Sequence, residues 1–466
     1  MSKPNKLKKC LQVEIDVADP FKNDVLNRKA NIEILTQFIT SYEQSIVLCI
    51  DAGWGQGKTT FIKMWQQSLK NQDIPTIYFN SWESDYTDDA LIALIGEIGL
   101  SIQELTGEDK TTAEKIIGRI YKFAANFTKA AAPTMANLGI KAASGGLISA
   151  DEISTAFGNL SESLVKEQIT KYEESRKTLG SFKEALSELA RCYADGDAHK
   201  PLVIFIDELD RCRPNFAIEV LEKAKHLFNV DNIVFVLATD KTQLGHSIRA
   251  VYGQGLDVNG YLRRFIDFDY LLPSPVKSDF IVSLSKQLGL DKYLNRNIFS
   301  DYHLIKILKD IINLYNLTLR EQEAFCNILN IAVRTHFYIL EDNCVTFLFL
   351  LNILKLKFPD LYKSLNRDNK STFVADVLEN INAQYTANNT YYLEFLECML
   401  LSVIRPASQF SYEETIDDYV RKYNFNDVKK QKLIHSFDMV KGFEITIQDL
   451  LTIKNAIEIS SSFRLN

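Results

Sequence analysis

Five short segments in the first part of the chain are almost wholly apolar, and each predicts a buried strand. They are SIVLCID (45–51), TIYFN (76–80), LVIFID (202–207), IVFVLAT (233–239) and FIDFDYLL (265–272). Before the first strand and between the others, apolar residues recur at helical spacing, as in Ile32, Leu35, Phe38 and Ile39 and again in Phe61, Ile62, Trp65 and Leu69. Strands that are apolar on both faces and alternate with helices are typical of a parallel sheet covered on both sides. The pattern therefore predicts an α/β fold.

The pattern also divides the chain. Residues 1–20 form a polar lead-in, and 21–275 form the α/β core, which a helical insertion at about 100–195 interrupts. Beyond the core the pattern becomes almost wholly helical, which predicts one module over 276–340 and a C-terminal helical domain over 341–466.

No segment is predicted to cross a membrane. The most apolar window, Val345–Leu354, is about half as long as the roughly 20 residues that a spanning helix needs. A second window, Leu393–Ile404, is also too short and contains two glutamates. Both windows are predicted to be buried helices. The N-terminus is basic but has no apolar run of the kind found in signal peptides, so a cytoplasmic protein is expected.

Composition excludes few classes of function. Charged residues make up 24% and hydrophobic residues 46% of the 466 positions, which is ordinary for a folded domain. The net charge of -7 disfavours a protein whose main surface binds nucleic acid, and the lysines of 115–141 are the one candidate surface for such binding. The seven cysteines contain no C-x-x-C pair, so they predict reduced thiols rather than a zinc site.

The strongest chemical motif is AGWGQGKTT, residues 52–60, which follows a predicted strand and begins a predicted helix. Its glycines let backbone N–H groups point at a phosphate, Lys58 suits the β- and γ-phosphates, and Thr59 suits Mg²⁺. Ala52 replaces the usual leading glycine, a change that is tolerated if its φ is negative. The predicted nucleotide contacts are Gly53, Trp54, Gly55, Gln56, Gly57, Lys58, Thr59 and Thr60.

A second motif, PLVIFIDELDRCRP, places acidic residues at the end of another buried strand. Asp207 is predicted to bind Mg²⁺ together with Thr59, and Glu208 to accept a proton from the attacking water. For Asp210 and Arg211, catalytic and structural roles remain equally open.

A third strand, IVFVLAT, ends in Thr239 and is followed by Asp240. A polar residue here could lie between the acid pair and the γ-phosphate, so Asp240 is a candidate nucleotide contact. A plain cap of the following loop is at least as good an interpretation.

These motifs, in this order, resemble the KAP family of P-loop NTPases, a branch near the AAA+ and STAND ATPases. The resemblance covers roughly residues 20–335 and is carried by AGWGQGKTT, FNSW (79–82) and DELDRCRP (207–214), among others. It implies a core with an extra strand between the phosphate-loop strand and the acid strand. It also implies the roles given above for Lys58, Thr59, Asp207 and Glu208.

The same resemblance implies roles for further segments. Asp19–Arg28 would lie near the adenine, and Leu317–Leu329 would belong to a helical lid in which Arg320 reaches the phosphates. Arg263 and Arg264 would be candidates for an arginine finger, acting in cis or on a neighbouring subunit, although an exposed arginine pair is the plainer interpretation. Many family members carry transmembrane helices in the interval that corresponds to residues 81–201, and no piece of it is apolar enough here.

The motifs and the resemblance together predict a Mg²⁺-dependent ATPase that acts as a nucleotide-driven switch on a protein partner. Family analogy suggests defence against phages or plasmids as the pathway. A homo-oligomer is an open possibility, and ATP is favoured over GTP because no N-K-x-D motif follows. The alternatives are a non-hydrolysing scaffold, a nucleic-acid-stimulated motor and, as the weakest, a metabolic kinase.

Overall fold

The structure is a computed structural model that describes residues 14–42, 44–87, 89–105, 118, 180–181, 183–191, 200–224, 230–274, 277–294, 297–299, 302–335, 342–366, 368, 370–384, 392–404, 411–440 and 445–462. The chain divides into two compact units. The α/β unit comprises Ile15–Asp24 and Arg28–Pro273, and the helical unit lies largely within Ser274–Asn466.

Among the described residues, the α/β unit contains one five-stranded parallel sheet, with the strands in the order β2-β3-β4-β1-β5. The strands are β1 (Ile46–Asp51), β2 (Thr76–Asn80), β3 (Leu202–Asp207), β4 (Ile233–Thr239) and β5 (Phe268–Leu271). The predicted parallel α/β fold is confirmed. β4 lies between β1, which leads into the phosphate loop, and β3, which ends at the acid pair, so the predicted extra strand is confirmed as well.

Helices cover both faces of this sheet. They are α1 (Lys29–Thr40), α2 (Lys58–Lys70), α3 (Ser81–Ser84), α4 (Ala90–Leu105), α5 (Pro214–Ala224), α6 (Lys241–Tyr252) and α7 (Val258–Leu262), with a 3-10 turn at Leu209–Arg211. Alternate residues of a strand point to opposite faces. Leu48 and Ile50 of β1 accordingly pack in the core under α1 and α2, while Val47 and Cys49 pack under α4, α5 and α6.

β5 is shorter than the predicted segment 265–272. The backbone N–H groups of Phe265 and Ile266 bond back to Leu262 O, so these residues continue a helical turn instead of joining the sheet. Pairing with β1 starts only at Asp267, whose N donates to Val47 O and whose carboxylate accepts from Val47 N. Both Phe265 and Ile266 remain buried, which explains why their apolar character resembled a strand.

The predicted insertion falls mostly outside the described residues. Its described parts are helical, and they are the end of α4 and residues 118, 180–181 and 183–191. The lysines of 115–141 also lie outside the described residues, as does most of the predicted lead-in.

The helical unit confirms the predicted change of pattern. Its helices are α8 (Lys277–Gln287), α9 (Asp291–Leu294), α10 (Leu304–Leu314), α11 (Leu319–Thr335), α12 (Asp342–Lys357), α13 (Pro359–Ser364), α14 (Lys370–Ala383), α15 (Tyr392–Ile404), α16 (Tyr412–Tyr423), α17 (Asp427–Val440) and α18 (Ile447–Ser462). A small antiparallel pair, β6 (Asn297–Phe299) and β7 (Tyr302–His303), is the exception in the described residues.

The two most apolar windows of the sequence form α12 and α15, and both contribute many residues to the core of the helical unit. Within the described part of the chain, no helix combines the length and the apolar character that crossing a membrane requires.

Candidate nucleotide-binding site

The site lies where β1, β3 and β4 end. Asp51 pairs with Thr239, and Asp207 pairs with Ala238, so the carboxyl ends of these strands meet at one edge of the sheet. In open parallel sheets this edge is where ligands bind. Asn80, at the end of β2, pairs with Asp207 and extends the edge on its far side.

The loop between β1 and α2 has the backbone of a phosphate-binding loop. Gly55 and Gly57 have φ values of 72° and 82°, a region that residues with side chains rarely adopt. Gly57 is also the N-cap residue of α2, so no capping side chain covers the first N–H groups of the helix. Those N–H groups and the positive end of the helix dipole suit an anion.

Ala52 fits the loop in place of a glycine. It is buried, its N donates to Thr239 O over 3.3 Å, and it is not among the described non-glycine residues with positive φ. The condition that the sequence set for this substitution is therefore met. A side chain at Gly53, in contrast, would lie 3.2 Å from Nε2 of Gln56.

Lys58 lies over the loop. Its Nζ donates to Ala52 O over 2.5 Å and to Gly53 O over 3.4 Å, which keeps the ammonium group beside the turn that would hold the phosphates. The next residue, Thr59, points toward the acid pair, because its Oγ1 lies 3.4 Å from Oε1 of Glu208.

Asp207 is buried and held in one orientation. Its Oδ2 accepts from the Tyr78 hydroxyl over 3.0 Å, and its Oδ1 accepts from Glu208 N over 2.8 Å. Burial raises the pKa of Asp207, while the bonds from Tyr78, Glu208 N and Thr59 oppose that shift. Burial, together with the adjacent Asp207, likewise raises the pKa of Tyr78, which keeps its hydroxyl a donor. Asp207 and Thr59 thus supply adjacent oxygen atoms that fit a hard cation such as Mg²⁺.

Glu208 has an unusual backbone conformation. Its φ is 60°, in the left-handed region, which costs free energy for a residue with a long side chain. Its Oε1 lies 2.8 Å from Nη1 of Arg211 as well as near Thr59. Strained residues of this kind are concentrated at functional sites.

Asp210 joins the phosphate loop to the end of β4. Its Oδ2 accepts from Nε1 of Trp54 over 2.5 Å, and its Oδ1 accepts from the Thr239 hydroxyl over 3.2 Å. The carboxylate is buried, so these two bonds satisfy a group that would otherwise be costly to bury. Of the two roles that the sequence left open for Asp210, these contacts favour the structural one.

Arg211 pairs with Glu208 on one side and lies over Trp82 on the other, with its guanidinium carbon 5.6 Å from the ring centroid. Trp82 is held by α3, whose N-cap Asn80 accepts bonds from Trp82 N and Glu83 N. The FNSW and DELDRCRP segments are therefore in direct contact. The sequence contains no local sign that these two segments touch.

A second arginine strengthens this contact. Nε of Arg213 donates to the Asp85 carboxylate over 2.8 Å, and its guanidinium also donates to the backbone carbonyls of Asp85 and Thr87. The turn after α3 is thereby tied to the segment after β3.

Asp240 is the N-cap residue of α6. Its Oδ1 accepts from Thr242 N over 3.0 Å and from Gln243 N over 3.1 Å. The capping interpretation accounts for these bonds. A contact between Asp240 and a nucleotide stays a prediction.

The remaining predicted site residues are placed as follows. Arg263 and Arg264 are exposed in the turn between α7 and β5. Because β5 runs parallel to β1, this turn lies before the start of the strand, at the edge of the sheet opposite the phosphate loop. Arg320 is the second residue of α11 in the helical unit, and its predicted contact with phosphates stays a prediction.

The segment Asp19–Arg28 reaches the phosphate loop through Arg28. The buried guanidinium donates through Nη1 to Pro273 O over 2.6 Å and through Nη2 to Gln56 O over 3.5 Å. Burial lowers the pKa of Arg28, although an arginine remains charged. A role for this segment near the adenine stays a prediction.

The strand order, the glycine loop with Lys58 and the acid pair at the end of β3 define a P-loop NTPase of the class with an extra strand between the two motifs. The model of the KAP family P-loop domain matches residues 28–336, and the chain belongs to this family. Membership supports nucleotide binding and ATP hydrolysis.

Solved structures give only distant similarity. The Aeropyrum pernix ORC2 protein in its ADPNP-ADP complexes is 12% identical, with 99% of this chain and 97% of that chain covered, at a TM-score of 0.32. Drosophila ORC bound to GC-rich DNA and Cdc6 is 11% identical, with 99% of this chain and 77% of that chain covered, at a TM-score of 0.35. TM-scores this low support no conclusion about this chain. A comparison with curated proteins gives no match.

Proposed function

We propose that the protein is a Mg²⁺-dependent ATPase that works as a nucleotide-driven switch on a protein partner. The observation that carries the proposal is the approach of Thr59 to the acid pair, with its Oγ1 3.4 Å from Glu208 Oε1, beside the loop that Lys58 covers. This arrangement supports a site in which the Thr59 hydroxyl and the Asp207 carboxylate bind the metal and Glu208 is the candidate base.

Each residue has a defined task in this proposal. The N–H groups of Gly55 to Lys58 bind the β- and γ-phosphates, and Lys58 neutralises part of their charge. Thr59 and Asp207 hold Mg²⁺, which when bound supplies positive charge to the phosphate oxygens. Glu208 accepts a proton from the attacking water.

The residues present fit the nucleotide and the metal. The glycine φ values open the loop for close approach, and the N-terminus of α2 carries no side-chain cap. The metal ligands are a hydroxyl and a carboxylate, the oxygen donors that Mg²⁺ prefers. The preference for ATP rests on the sequence argument, because the described contacts include no base-reading side chain.

The first test is nucleotide turnover by purified protein with Mg²⁺. Lys58→Ala should lose ATP binding, while Glu208→Gln should bind ATP and hydrolyse it on the order of 100-fold more slowly or worse, as expected for loss of a general base. Lys70→Ala, at the exposed end of the same helix, is the matched control and should behave like wild type. If wild type binds ATP but none of the proteins turns it over, the chain is a non-hydrolysing scaffold.

The same assay with added DNA or RNA tests the motor alternative. A several-fold rise in turnover would favour it over a switch that acts on a protein. Protection of cells against phage by wild type but not by Lys58→Ala would support the defence pathway, and equal protection by both would contradict it.

We also propose that Arg263 and Arg264 act on a neighbouring subunit rather than in cis. The support is their exposure at the edge of the sheet opposite the phosphate loop of their own chain. A subunit-mixing experiment tests this. Lys58→Ala and the double variant Arg263→Ala/Arg264→Ala should each be inactive alone, and mixing them should restore turnover. No restoration in mixtures that form hetero-oligomers would contradict an action in trans.

A further inference from the structure

Arg211 is bound on both sides of its guanidinium. Nη1 lies 2.8 Å from Oε1 of Glu208, and the guanidinium carbon lies 5.6 Å from the centroid of the Trp82 ring. The Glu208 side chain is 9% exposed and that of Arg211 is 29% exposed. This pair is therefore shielded from water more than an ordinary surface ion pair, and its geometry should be better defined.

The contact controls how Glu208 presents its carboxylate. The left-handed φ of Glu208 starts the 3-10 turn Leu209–Arg211, which brings the arginine back onto the glutamate three residues earlier. Both described contacts, from Arg211 and from Thr59, fall on Oε1. Oε2 of Glu208 is then the oxygen available to accept a proton. The contacts to Oε1 restrict the rotation of the carboxylate and so restrict the position of Oε2.

Trp82 gives the arginine a fixed support. Asn80 caps α3 and so fixes the backbone at Trp82, and Arg213 ties the turn after α3 to the segment that carries Arg211. An arginine whose guanidinium lies over an indole has fewer conformations to lose when it pairs with a carboxylate than an arginine without such a neighbour. Trp82 nevertheless remains about half exposed, so its accessible face is not needed for the fold of the core.

We propose that Arg211, supported by Trp82, is a positioning residue that holds Glu208 in the orientation needed to accept a proton from the attacking water. The inference rests on the proposed ATPase function. Arg211 acts through Glu208 and does not itself contact the nucleotide. The Trp82 face of α3 thereby becomes part of the machinery that sets the rate of hydrolysis.

The alternative role for Arg211 is a direct contact with phosphate. The two roles differ in what they change. Loss of a positioning contact lowers kcat and leaves KM for ATP unchanged, whereas loss of a phosphate contact weakens ATP binding. Misplacement of a catalytic group by about 1 Å can cost on the order of 100-fold in rate.

The test measures kcat, KM and melting temperature for Arg211→Ala, Arg211→Lys, Trp82→Ala and Trp82→Phe beside wild type. Arg211→Ala should lower kcat roughly 10- to 100-fold with unchanged KM, and Arg211→Lys should recover part of it, since an ammonium can still pair with Glu208. Trp82→Ala should lower kcat by less, and Trp82→Phe should recover most of that loss because a ring remains. Arg249→Ala on α6, an arginine with no assigned role, is the control and should match wild type.

A double-variant cycle separates the mechanism from a general loss of structure. Adding Arg211→Ala to Glu208→Gln should cause little further loss, because the arginine works only through the glutamate. A full further loss in the double variant would overturn the inference, as would a normal kcat for Arg211→Ala, or a raised KM with normal kcat.

These failures are distinct from failure of the proposed function. If wild type itself shows no turnover, the ATPase proposal fails and takes the inference with it. If wild type turns over ATP and Glu208→Gln is slow, while Arg211→Ala is normal, only the inference fails. The melting temperatures and the partial recovery in Arg211→Lys show that a loss of rate in Arg211→Ala is not a loss of fold.

Discussion

A buried ion cluster in the helical unit allows a sharp test of its energetics. Glu394 and Glu397 on α15 are almost fully buried, and Lys429 on α17 lies between them, with Nζ 2.8 Å from Glu397 Oε2 and 3.8 Å from Glu394 Oε1. The Tyr419 hydroxyl donates to Glu397 Oε1 over 2.8 Å, and Nζ of Lys432 lies 3.9 Å from Oε1 of Glu394. The cluster therefore balances two buried carboxylates with one buried and one partly exposed ammonium group.

The perturbation is Lys429→Met, which keeps an unbranched side chain of similar shape and removes the ammonium group with its charge. Removing one partner of a buried ion pair costs roughly 3–5 kcal/mol, because the remaining charge is left uncompensated. Here two carboxylates depend on Lys429, so we expect the free energy of unfolding to fall by about 3–5 kcal/mol at pH 8. The loss should be smaller near pH 5, since burial already raises the pKa of Glu397, and a carboxyl without its lysine takes up a proton instead.

The assay is urea denaturation of the full chain, followed by circular dichroism at 222 nm. The tryptophans at 54, 65 and 82 all belong to the α/β unit, so their fluorescence reports that unit separately and shows whether the two units unfold in one transition. Lys430→Met is the matched control, because Lys430 is the next residue on α17 and pairs with Asp417 at the surface. Its transition should move little.

Equal midpoint shifts in Lys429→Met and Lys430→Met would refute a special role for the buried lysine. A loss of stability in Lys429→Met that did not depend on pH would do the same. Adding Glu397→Gln to Lys429→Met should recover part of the lost stability, since one of the two stranded charges is then gone. A double variant less stable than Lys429→Met alone would mean that the hydrogen bond to Tyr419 outweighs the charge.

Three further predictions concern individual side chains. Trp54→Phe removes the N–H group that donates a hydrogen bond to Asp210. A hydrogen bond to a charged group contributes about 1.5–3 kcal/mol, and we reduce this to about 1 kcal/mol because the indole is half exposed. ATP affinity in a fluorescent-nucleotide titration should therefore fall about 5-fold, and an unchanged affinity would contradict a role for this bond in ordering the loop. Arg213→Ala removes the bonds to the Asp85 segment and should speed hydrogen exchange at residues 84–87 while leaving the melting temperature almost unchanged. Burial raises the pKa of Glu397 above its ordinary 4.5, and stability from such a carboxyl is present below that value and lost as pH rises through the folded pKa. The unfolding free energy of wild type should therefore fall more steeply than that of Glu397→Gln between about pH 5 and pH 8, and parallel curves would exclude this cause.

Much of the fold could be predicted because its signals are local. The strands β1 to β4 are apolar throughout, so their position in the sequence almost fixed their bounds, and the glycine loop keeps its chemistry within nine consecutive residues. β5 was predicted too long because burial alone does not distinguish a strand from a helical turn. In that segment the backbone hydrogen bonds, which the sequence does not display, decide the structure.

The parts of the site that escaped prediction are contacts between residues far apart in the chain. Trp54 and Asp210 are 156 positions apart, and the tryptophan gave no sign of its partner except an unusual place in a glycine-rich loop. Arg211 and Trp82 are likewise distant, and each has common alternatives: an arginine beside acidic residues pairs locally, and a tryptophan after a strand is usually buried. The register of β2 against β3 sets Asn80 opposite Asp207, and this pairing brings the side chains of Trp82 and Arg211 together.

The backbone conformation of Glu208 links the contacts that Arg211 makes with Glu208 and with Trp82. Asp207 must continue the line of β3 to face Thr59, and the chain must then turn sharply if the next carboxylate is to reach the same hydroxyl. A left-handed residue makes that turn, and glycine would make it at least cost, but glycine has no carboxylate to offer. Retaining a glutamate there stores strain of order 1–3 kcal/mol, which the bonds to Arg211 and Thr59 offset. In the proposed mechanism, Trp82 supports Arg211 and so helps to keep the strained residue in place. The sharp turn, the ion pair and the exposed indole then serve one requirement, which is a carboxylate held beside the Thr59 hydroxyl.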